Sequence, residues 1–272
     1  MNCVQMCVCQ FTISSCGLDY LSVKCQLYSI VAKSRNIELE LVPTDDITIG
    51  DIHTLVLKPL GEIKVSGQCA TACQFDDFTY VGMHGGNIDR IDKGGGRTKG
   101  FIKLSSHVTS VRAHKDTLYT LMAGNPSVVY VHDLSGQLIS SWNHPDNGFW
   151  GSKIAIVNDQ LVIANRKTKR LTLYSPFGEV MRQVDVSQIS NGFVSICESG
   201  RDSVIVSDYA TSRVFKVNIN SGDIVWMSSK VSGPLGVTCY GGSHVLVTKQ
   251  DNRTTIWVLD IHTGMQFSII HP

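Results

Sequence analysis

The stretch VIVSDYATSRVFKVNINSGDIVWM, residues Val204–Met227, decides the fold. It contains two short apolar runs around a polar turn, followed by a glycine-containing turn and a third apolar run. Phe215, Val217 and Ile219 alternate with polar or smaller neighbours, and a period of two is typical of β-strands. The runs are about five to seven residues long and rich in Val, Ile, Thr and Tyr, which also favours strands over helices. The stretch therefore predicts three consecutive antiparallel strands.

The same order of runs and turns recurs along the chain. It starts again at Gln160, Thr117 and His244, at Asp77 with a longer second turn, and at Asp46 with a shortened first turn. The turn glycines fix the period, because successive ones are 41, 42, 44 and 42 residues apart: Gly95, Gly136, Gly178, Gly222 and Gly264. Gly61 is several residues out of register. The chain is therefore a repeat with five clear units and one weak unit.

Each unit contains a fourth strand, because a further short apolar run precedes it. Examples are KIAIV at Lys153, FVSIC at Phe193 and GVTCY at Gly236. A four-stranded unit of about 40 residues cannot bury both faces alone, whereas radial stacking covers both and leaves only short edges. We therefore predict an all-β, six-bladed β-propeller of four-stranded antiparallel blades over residues 36–272, with the preceding runs lining a central channel. Residues 1–35 stay unassigned, either as an extra strand or as the remnant of another domain.

The blade pattern resembles that of NHL-repeat propellers, which form the C-terminal domain of tripartite-motif proteins. The resemblance rests on a strand that ends in a polar residue, a short turn and a basic residue that opens the next strand: VIVSD ends at Asp208, and Arg213 opens RVFKV. The unit from Gln160 keeps Arg170 but has Asn165 where the aspartate would stand. WD40 and receptor-type propellers fit less well, because no Trp-Asp dipeptide closes the third strands and no Tyr-Trp-Thr-Asp run occurs.

The N-terminus does not show the zinc domains that precede the propeller in tripartite-motif proteins. Its Cys-x3-Cys-x-Cys pattern, with no histidine before His53, is not a RING or B-box ligand spacing. Ubiquitin transfer is therefore not implied for this chain.

The composition limits which binding partners and which cellular compartment we expect. Twenty-four basic and 23 acidic residues leave no overall charge that would favour nucleic acid or a membrane surface, although a local patch stays possible. No run approaches the roughly 18 apolar residues of a membrane span, and the N-terminus is a poor secretory signal. The chain has nine cysteines, an odd number, and in the absence of a secretory signal we expect them to be reduced in a cytoplasmic protein. We also expect a monomeric propeller without a cofactor.

One rim of the disc carries the candidate binding residues. The turn NRKTKR concentrates cations between the second and third strands of its unit, and the equivalent turn of the last unit carries two more. The link WNHPDNGFWG adds aromatic side chains that can anchor a peptide or stack on a base. The alternative is that the cations only solvate a loop and the aromatics are buried. The candidates are Asn165, Arg166, Lys167, Lys169, Asp208, Arg213, Lys249, Arg253, Phe149 and Trp150.

These patterns predict a non-catalytic platform that binds a protein or peptide on one rim. Single-stranded RNA is the alternative, since several NHL relatives bind RNA on such a rim. A metal-dependent hydrolase or lyase is a second alternative, but the runs that line the channel offer neither carboxylates nor repeated histidines, and no Gly-x-Ser-x-Gly elbow occurs. We therefore expect no enzyme activity and no metal.

Overall fold

The computed structural model describes residues 4–9, 25–30, 61–63, 69–144, 153–165, 168–190, 192–240, 242–249 and 256–270. These residues form β-strands joined by turns and short links. None of them belongs to a helix with the length and apolar character that a membrane span requires.

Twenty of the strands form five sheets of four antiparallel strands each, in which every strand pairs with the next along the chain. We call these sheets blades 1 to 5. Blade 1 contains β4 (Cys69–Phe75), β5 (Phe78–Met83), β6 (Asn87–Asp92) and β7 (Arg97–Lys103). Blade 2 contains β8 (Val108–His114), β9 (Thr117–Met122), β10 (Ser127–Asp133) and β11 (Leu138–His144). Blade 3 contains β12 (Lys153–Val157), β13 (Gln160–Asn165), β14 (Arg170–Tyr174) and β15 (Val180–Asp185).

The remaining two blades have the same order. Blade 4 contains β16 (Phe193–Glu198), β17 (Ser203–Asp208), β18 (Arg213–Asn218) and β19 (Ile224–Met227). Blade 5 contains β20 (Pro234–Tyr240), β21 (His244–Lys249), β22 (Ile256–Asp260) and β23 (Gln266–Ile270). The first strand of each blade lies against the first strand of the next, in the order β4, β8, β12, β16 and β20. The predicted propeller is thereby confirmed, with these five strands around the central channel.

The number of blades was wrong in the sequence prediction: the described structure contains five four-stranded blades, not six. The weak unit is described only at β3 (Gly61–Ile63), which pairs with β2 (Cys25–Ile30), and β2 pairs with β1 (Val4–Cys9). These strands form a three-stranded sheet that joins residues on both sides of the predicted boundary at residue 36. Its strand β1 lies against both β4 and β20, so this smaller sheet occupies the interval between blades 5 and 1.

Most of the described core clusters lie between neighbouring blades. One cluster joins Leu171 and Leu173 of blade 3 to Val206, Phe215 and Val217 of blade 4. Burying an aliphatic or aromatic side chain of this size contributes roughly 1.5–3 kcal/mol. A single blade cannot obtain this stabilisation alone, which is why the repeat closes around an axis.

Four of the five periodic glycines lie where neighbouring blades pack closely against each other. All five have positive φ angles between 71° and 93° in the turn before the fourth strand, a conformation that glycine adopts without a Cβ clash. Four of them also lie directly against the last strand of the preceding blade. The pairs are Gly136 with Phe101, Gly178 with Trp142, Gly222 with Val184, and Gly264 with Trp226.

Candidate functional site

The two ends of each sheet carry different connections. We call one the link end: it holds the turns between second and third strands and the links from blade to blade. The other is the hairpin end, with the two remaining turns of each blade. Contacts between blades align these ends around the ring, because Lys153 Nζ donates to the Thr109 carbonyl at the link end. At the hairpin end His114 Nε2 lies 2.6 Å from Asp159 Oδ1. The disc therefore has two faces of different composition.

Charge is segregated between the two ends. Among described residues in turns, links and terminal strand positions, the link-end cations are Lys103, Lys153, Lys169, Arg170, Arg213, Lys230 and Lys249, beside the carboxylates Asp185 and Asp208. The hairpin-end carboxylates are Asp76, Asp77, Asp92, Asp116, Asp133, Asp159, Glu179, Glu198, Asp202, Asp223 and Asp260, beside the cations Lys93, Arg97, Lys115 and Arg201. The formal net charge of +1 therefore conceals a basic end and an acidic end.

Three of the predicted rim residues lie at this basic end. Lys169, Arg213 and Lys249 are half-buried at strand ends or in a turn. Lys249 Nζ lies 5.3 Å from the centre of the Trp257 ring, close enough for a cation–π contact. The predictions for Arg166, Lys167, Arg253, Phe149 and Trp150 fall outside the described residues.

The side chains of Asp208 and Asn165 lie beneath the rim and not on its exposed surface. Both side chains are fully buried. Asp208 Oδ1 accepts hydrogen bonds from the hydroxyl of Ser190 at 2.7 Å and the amide of Ala210 at 3.0 Å, while Oδ2 accepts one from the amide of Ser190 at 3.1 Å. Asn165 Oδ1 accepts a bond from the amide of Thr168. The polar residue that ends the second strand thus stabilises the turn behind the rim.

Apolar groups accompany the cations of the link end. Tyr209 is exposed in the turn after β17, and Met227 is exposed at the end of β19. Arg213 Nη1 donates to Met227 Sδ, which holds the guanidinium beside this apolar patch. Asp185, in blade 3, has a pKa below its ordinary value because Ser187 donates hydrogen bonds to it and Arg170 and Lys169 lie near. It therefore stays ionised and offsets part of the local positive charge.

Lys103 and Lys230 are link-end cations that the sequence analysis missed. They stand alone at the end of β7 and in the link before β20, so no charge cluster marks them. Their common signal is position: Lys103 ends a fourth strand, and Lys230 follows one. Reading every unit in register would have placed them on the same face as Lys169.

A groove between blades 1 and 2 was not predicted either. Its cavity volume is about 470 Å³, and its lining residues are Phe101, Ile102, Lys103, Leu104, Ser105, Tyr130, His132, Gly136 and Leu138. The Tyr130 and His132 rings are stacked, with centroids 6.2 Å apart. Burial lowers the pKa of His132, so this side chain is neutral at pH 7. The groove combines an apolar wall with the Lys103 cation at its link-end edge.

The described parts of the innermost strands carry thiols and one guanidinium. Cys197 Sγ of β16 lies 3.5 Å from Cys239 Sγ of β20, and Cys239 Sγ also donates to the Glu198 carbonyl. The pKa of Cys197 is well above its ordinary value, first because of this contact and then because of burial. Arg112 lies near enough to Cys73 and Cys197 to favour their thiolates slightly. Among the described residues, no three His, Cys, Asp or Glu side chains are grouped as metal ligands would be.

We expect Cys73 to react slowly with alkylating reagents in the folded protein. Burial raises the pKa of its thiol from 9.0 to about 11, so the reactive thiolate should be about 100-fold scarcer at pH 8 than for an unperturbed cysteine. Peptide-resolved mass spectrometry after iodoacetamide treatment measures this rate. Reaction at the rate of the unfolded chain would contradict the raised pKa of this half-buried thiol.

Comparison with known proteins supports the fold and not a family. No family model and no curated protein matches the chain. A solved nidogen/laminin complex contains a chain that is 13% identical, with a TM-score of 0.65, and the match covers 91% of this chain and 90% of that one. The WD40 β-propeller domain of Doa1 is 13% identical with a TM-score of 0.61, covering 78% and 71%. A protein of unknown function from Bacteroides caccae is 11% identical with a TM-score of 0.60, covering 80% and 86%.

Proposed function

We propose that this propeller is a non-catalytic platform that recognises an acidic protein or peptide at its link end. The observation that supports the proposal most strongly is the segregation of charge, with Lys169, Arg213, Lys230 and Lys249 on blades 3 to 5 at one end of the sheets. Complementary charge steers a partner toward one face and fixes its orientation. The exposed side chains of Tyr209 and Met227 add apolar area that a folded partner or peptide can bury.

The fold favours a protein partner for a general reason. A propeller presents loops and strand ends on a rigid disc, and propellers commonly mediate protein binding. One similar solved propeller comes from a complex of two proteins, nidogen and laminin. The NHL-like blade pattern around Asp208 and Arg213 stays a prediction, as does the family that it resembles.

Single-stranded RNA is the alternative ligand for the same end. Such ligands bind through cations along the backbone and aromatic rings under the bases. Among the described link-end residues with exposed large apolar side chains, Tyr209 is the one aromatic. In the part of the link end that the structure describes, basic charge is combined with little exposed stacking surface, which favours a peptide over RNA. The third candidate function is a metal-dependent hydrolase or lyase whose metal ligands come from loops.

The test compares two labelled probes, a decaglutamate peptide and a ten-nucleotide oligouridylate, by fluorescence anisotropy at low and at physiological salt. We expect the peptide to bind, and the K169E/R213E/K249E variant to bind it at least about tenfold more weakly, because each reversed contact contributes up to about 1 kcal/mol. The matched control, K93E/K99E/R201E, makes the same change of charge away from the link end and should bind almost normally.

The outcomes separate the alternatives. Peptide binding that is lost only in the link-end variant supports the proposal. Binding of the oligouridylate alone, with a salt slope that falls in the link-end variant, would replace the peptide by RNA. Equal losses in both variants, or no binding of either probe, would overturn the proposal.

A further inference from the structure

Arg112 crosses the central channel without an acidic partner among the described residues. It belongs to β8, yet its Nη2 donates to the Ile196 carbonyl of β16 at 3.3 Å, and β12 stands between these two strands. Its Nη1 donates to the Val111 carbonyl. Both acceptors are neutral, and no described carboxylate forms an ion pair with this guanidinium. Arg112 is half-buried, and a guanidinium has five N–H donors, of which the two carbonyls leave some available.

More positive charge stands at the link-end mouth of the same channel. Lys153 opens β12, and its Nζ is held by the Thr109 carbonyl of β8. His84, in the turn before β6, and His107, just before β8, have ring centroids 5.4 Å apart in an edge-on arrangement. Lys153 and His107 lie close enough to His84 to lower its pKa, after burial as the main cause. These groups converge from blades 1, 2 and 3.

In the described innermost strands, negative charge lies at the opposite end of the channel. In the described parts of the five innermost strands, the one carboxylate is Glu198, the exposed last residue of β16. Apart from this carboxylate, Arg112, Lys153, Gln74 and His114, the described side chains of these strands are apolar or carry hydroxyl or thiol groups, and low-dielectric walls strengthen the field of the cations that they surround. In the described part of the chain, the channel therefore runs from Lys153 at its mouth to the Arg112 guanidinium, and the one carboxylate of the innermost strands lies at their opposite end.

We propose that the central channel is an anion-binding site, entered from the link end, that takes a carboxylate or a phosphate group. Arg112 supplies a forked donor for two oxygens of the anion, and Lys153 supplies a second positive charge at the mouth. His84 and His107 narrow the entrance on the side of blades 1 and 2. The site requires no protein partner, so it extends beyond the proposed platform and can be tested with small anions.

The experiment measures binding of sodium sulfate and of sodium malonate to the whole chain by isothermal titration at low ionic strength. Sulfate represents a phosphate group, and malonate represents paired carboxylates, so the stronger ligand identifies the source. We expect saturable binding at one site. Arg112→Gln and Lys153→Gln should each weaken it about tenfold, whereas Arg112→Lys, which keeps the charge but loses the fork, should weaken it less.

Lys99→Gln is the matched control, because it removes an exposed cation of β7, the outermost strand of blade 1, without touching the innermost strands or the link end. It should leave anion affinity unchanged. If Arg112→Gln does not fold, Lys153→Gln at the half-exposed mouth provides the same comparison. No saturable binding up to about 10 mM anion, or equal affinity in Lys153→Gln, Lys99→Gln and the unmodified chain, would overturn the proposal and leave Arg112 as a tie between blades 2 and 4.

Discussion

Replacing Gly264 by alanine should destabilise the propeller by about 3 kcal/mol. The φ angle of this residue is +71°, where an L side chain costs about 1 kcal/mol. An added Cβ would also lie 2.8 Å from Trp226 Cδ2. Trp226 cannot readily move away, because it is buried and its Nε1 donates to the Ile261 carbonyl at 2.9 Å. Overpacking of this kind costs about 1–3 kcal/mol in addition.

Gly95→Ala is the matched control for this substitution. Gly95 occupies the equivalent turn of blade 1 with φ +84°, but a Cβ there would meet nothing within 4 Å. Its substitution should therefore cost only the backbone strain, about 1 kcal/mol. Urea denaturation followed by tryptophan fluorescence compares the two variants. Equal losses would mean that the contact with the preceding blade contributes nothing, and that the repeated glycines act only on turn conformation.

The repeated glycines were also what made the fold predictable. A left-handed turn residue is a local requirement, so Gly136, Gly178 and Gly222 mark the fourth strand of each blade in the sequence itself. Alternation of apolar residues is equally local, which is why the innermost strands β12, β16 and β20 coincide with the predicted runs. Closure around an axis follows from the need to bury both faces of every sheet.

The count of blades depends on pairing over long distances, and there the prediction failed. Gly61 was read as the turn of a weak sixth unit. It instead begins β3, whose partner β2 lies more than thirty residues earlier and pairs in turn with β1. Neither β1 nor β2 belongs to a copy of the repeat, so periodicity could not place them. Propensity alone does not specify which strands pair.

For the candidate site, only the sign of the charge could be predicted from the sequence. The cluster that contains Lys169 identified a cationic end, and Lys249 and Arg213 lie at that end. The acidic residues of the opposite end are spread over five blades. They can be assigned to one face only by noting that successive turns of a blade lie at alternate ends of the sheet. Arg112 gave no signal, because a single arginine in an apolar run does not reveal that it reaches across to Ile196.

Asp208 shows why burial has to be known before a polar residue is assigned to binding. Its carboxylate joins the link after blade 3 to the turn after β17 through Ser190 and Ala210. We expect Asp208→Ala to destabilise the fold by about 3 kcal/mol, because removing one partner leaves several donors poorly satisfied, at about 1 kcal/mol or more each. Asp208→Asn keeps one acceptor oxygen and should cost about half as much.

Asp185→Ala separates this structural role from a general effect of removing a carboxylate. Asp185 ends β15 as Asp208 ends β17, but it is exposed and accepts a bond from the adjacent Ser187 amide. Its loss should cost less than about 1 kcal/mol. The comparison uses urea denaturation together with decaglutamate binding under conditions where every variant is folded. If the Asp208→Ala variant had normal stability but no longer bound the peptide, Asp208 would have to contribute to binding directly. The buried position of its side chain predicts the opposite, a less stable protein that binds as well as the unmodified chain, because the cations of the link end stay in place around it.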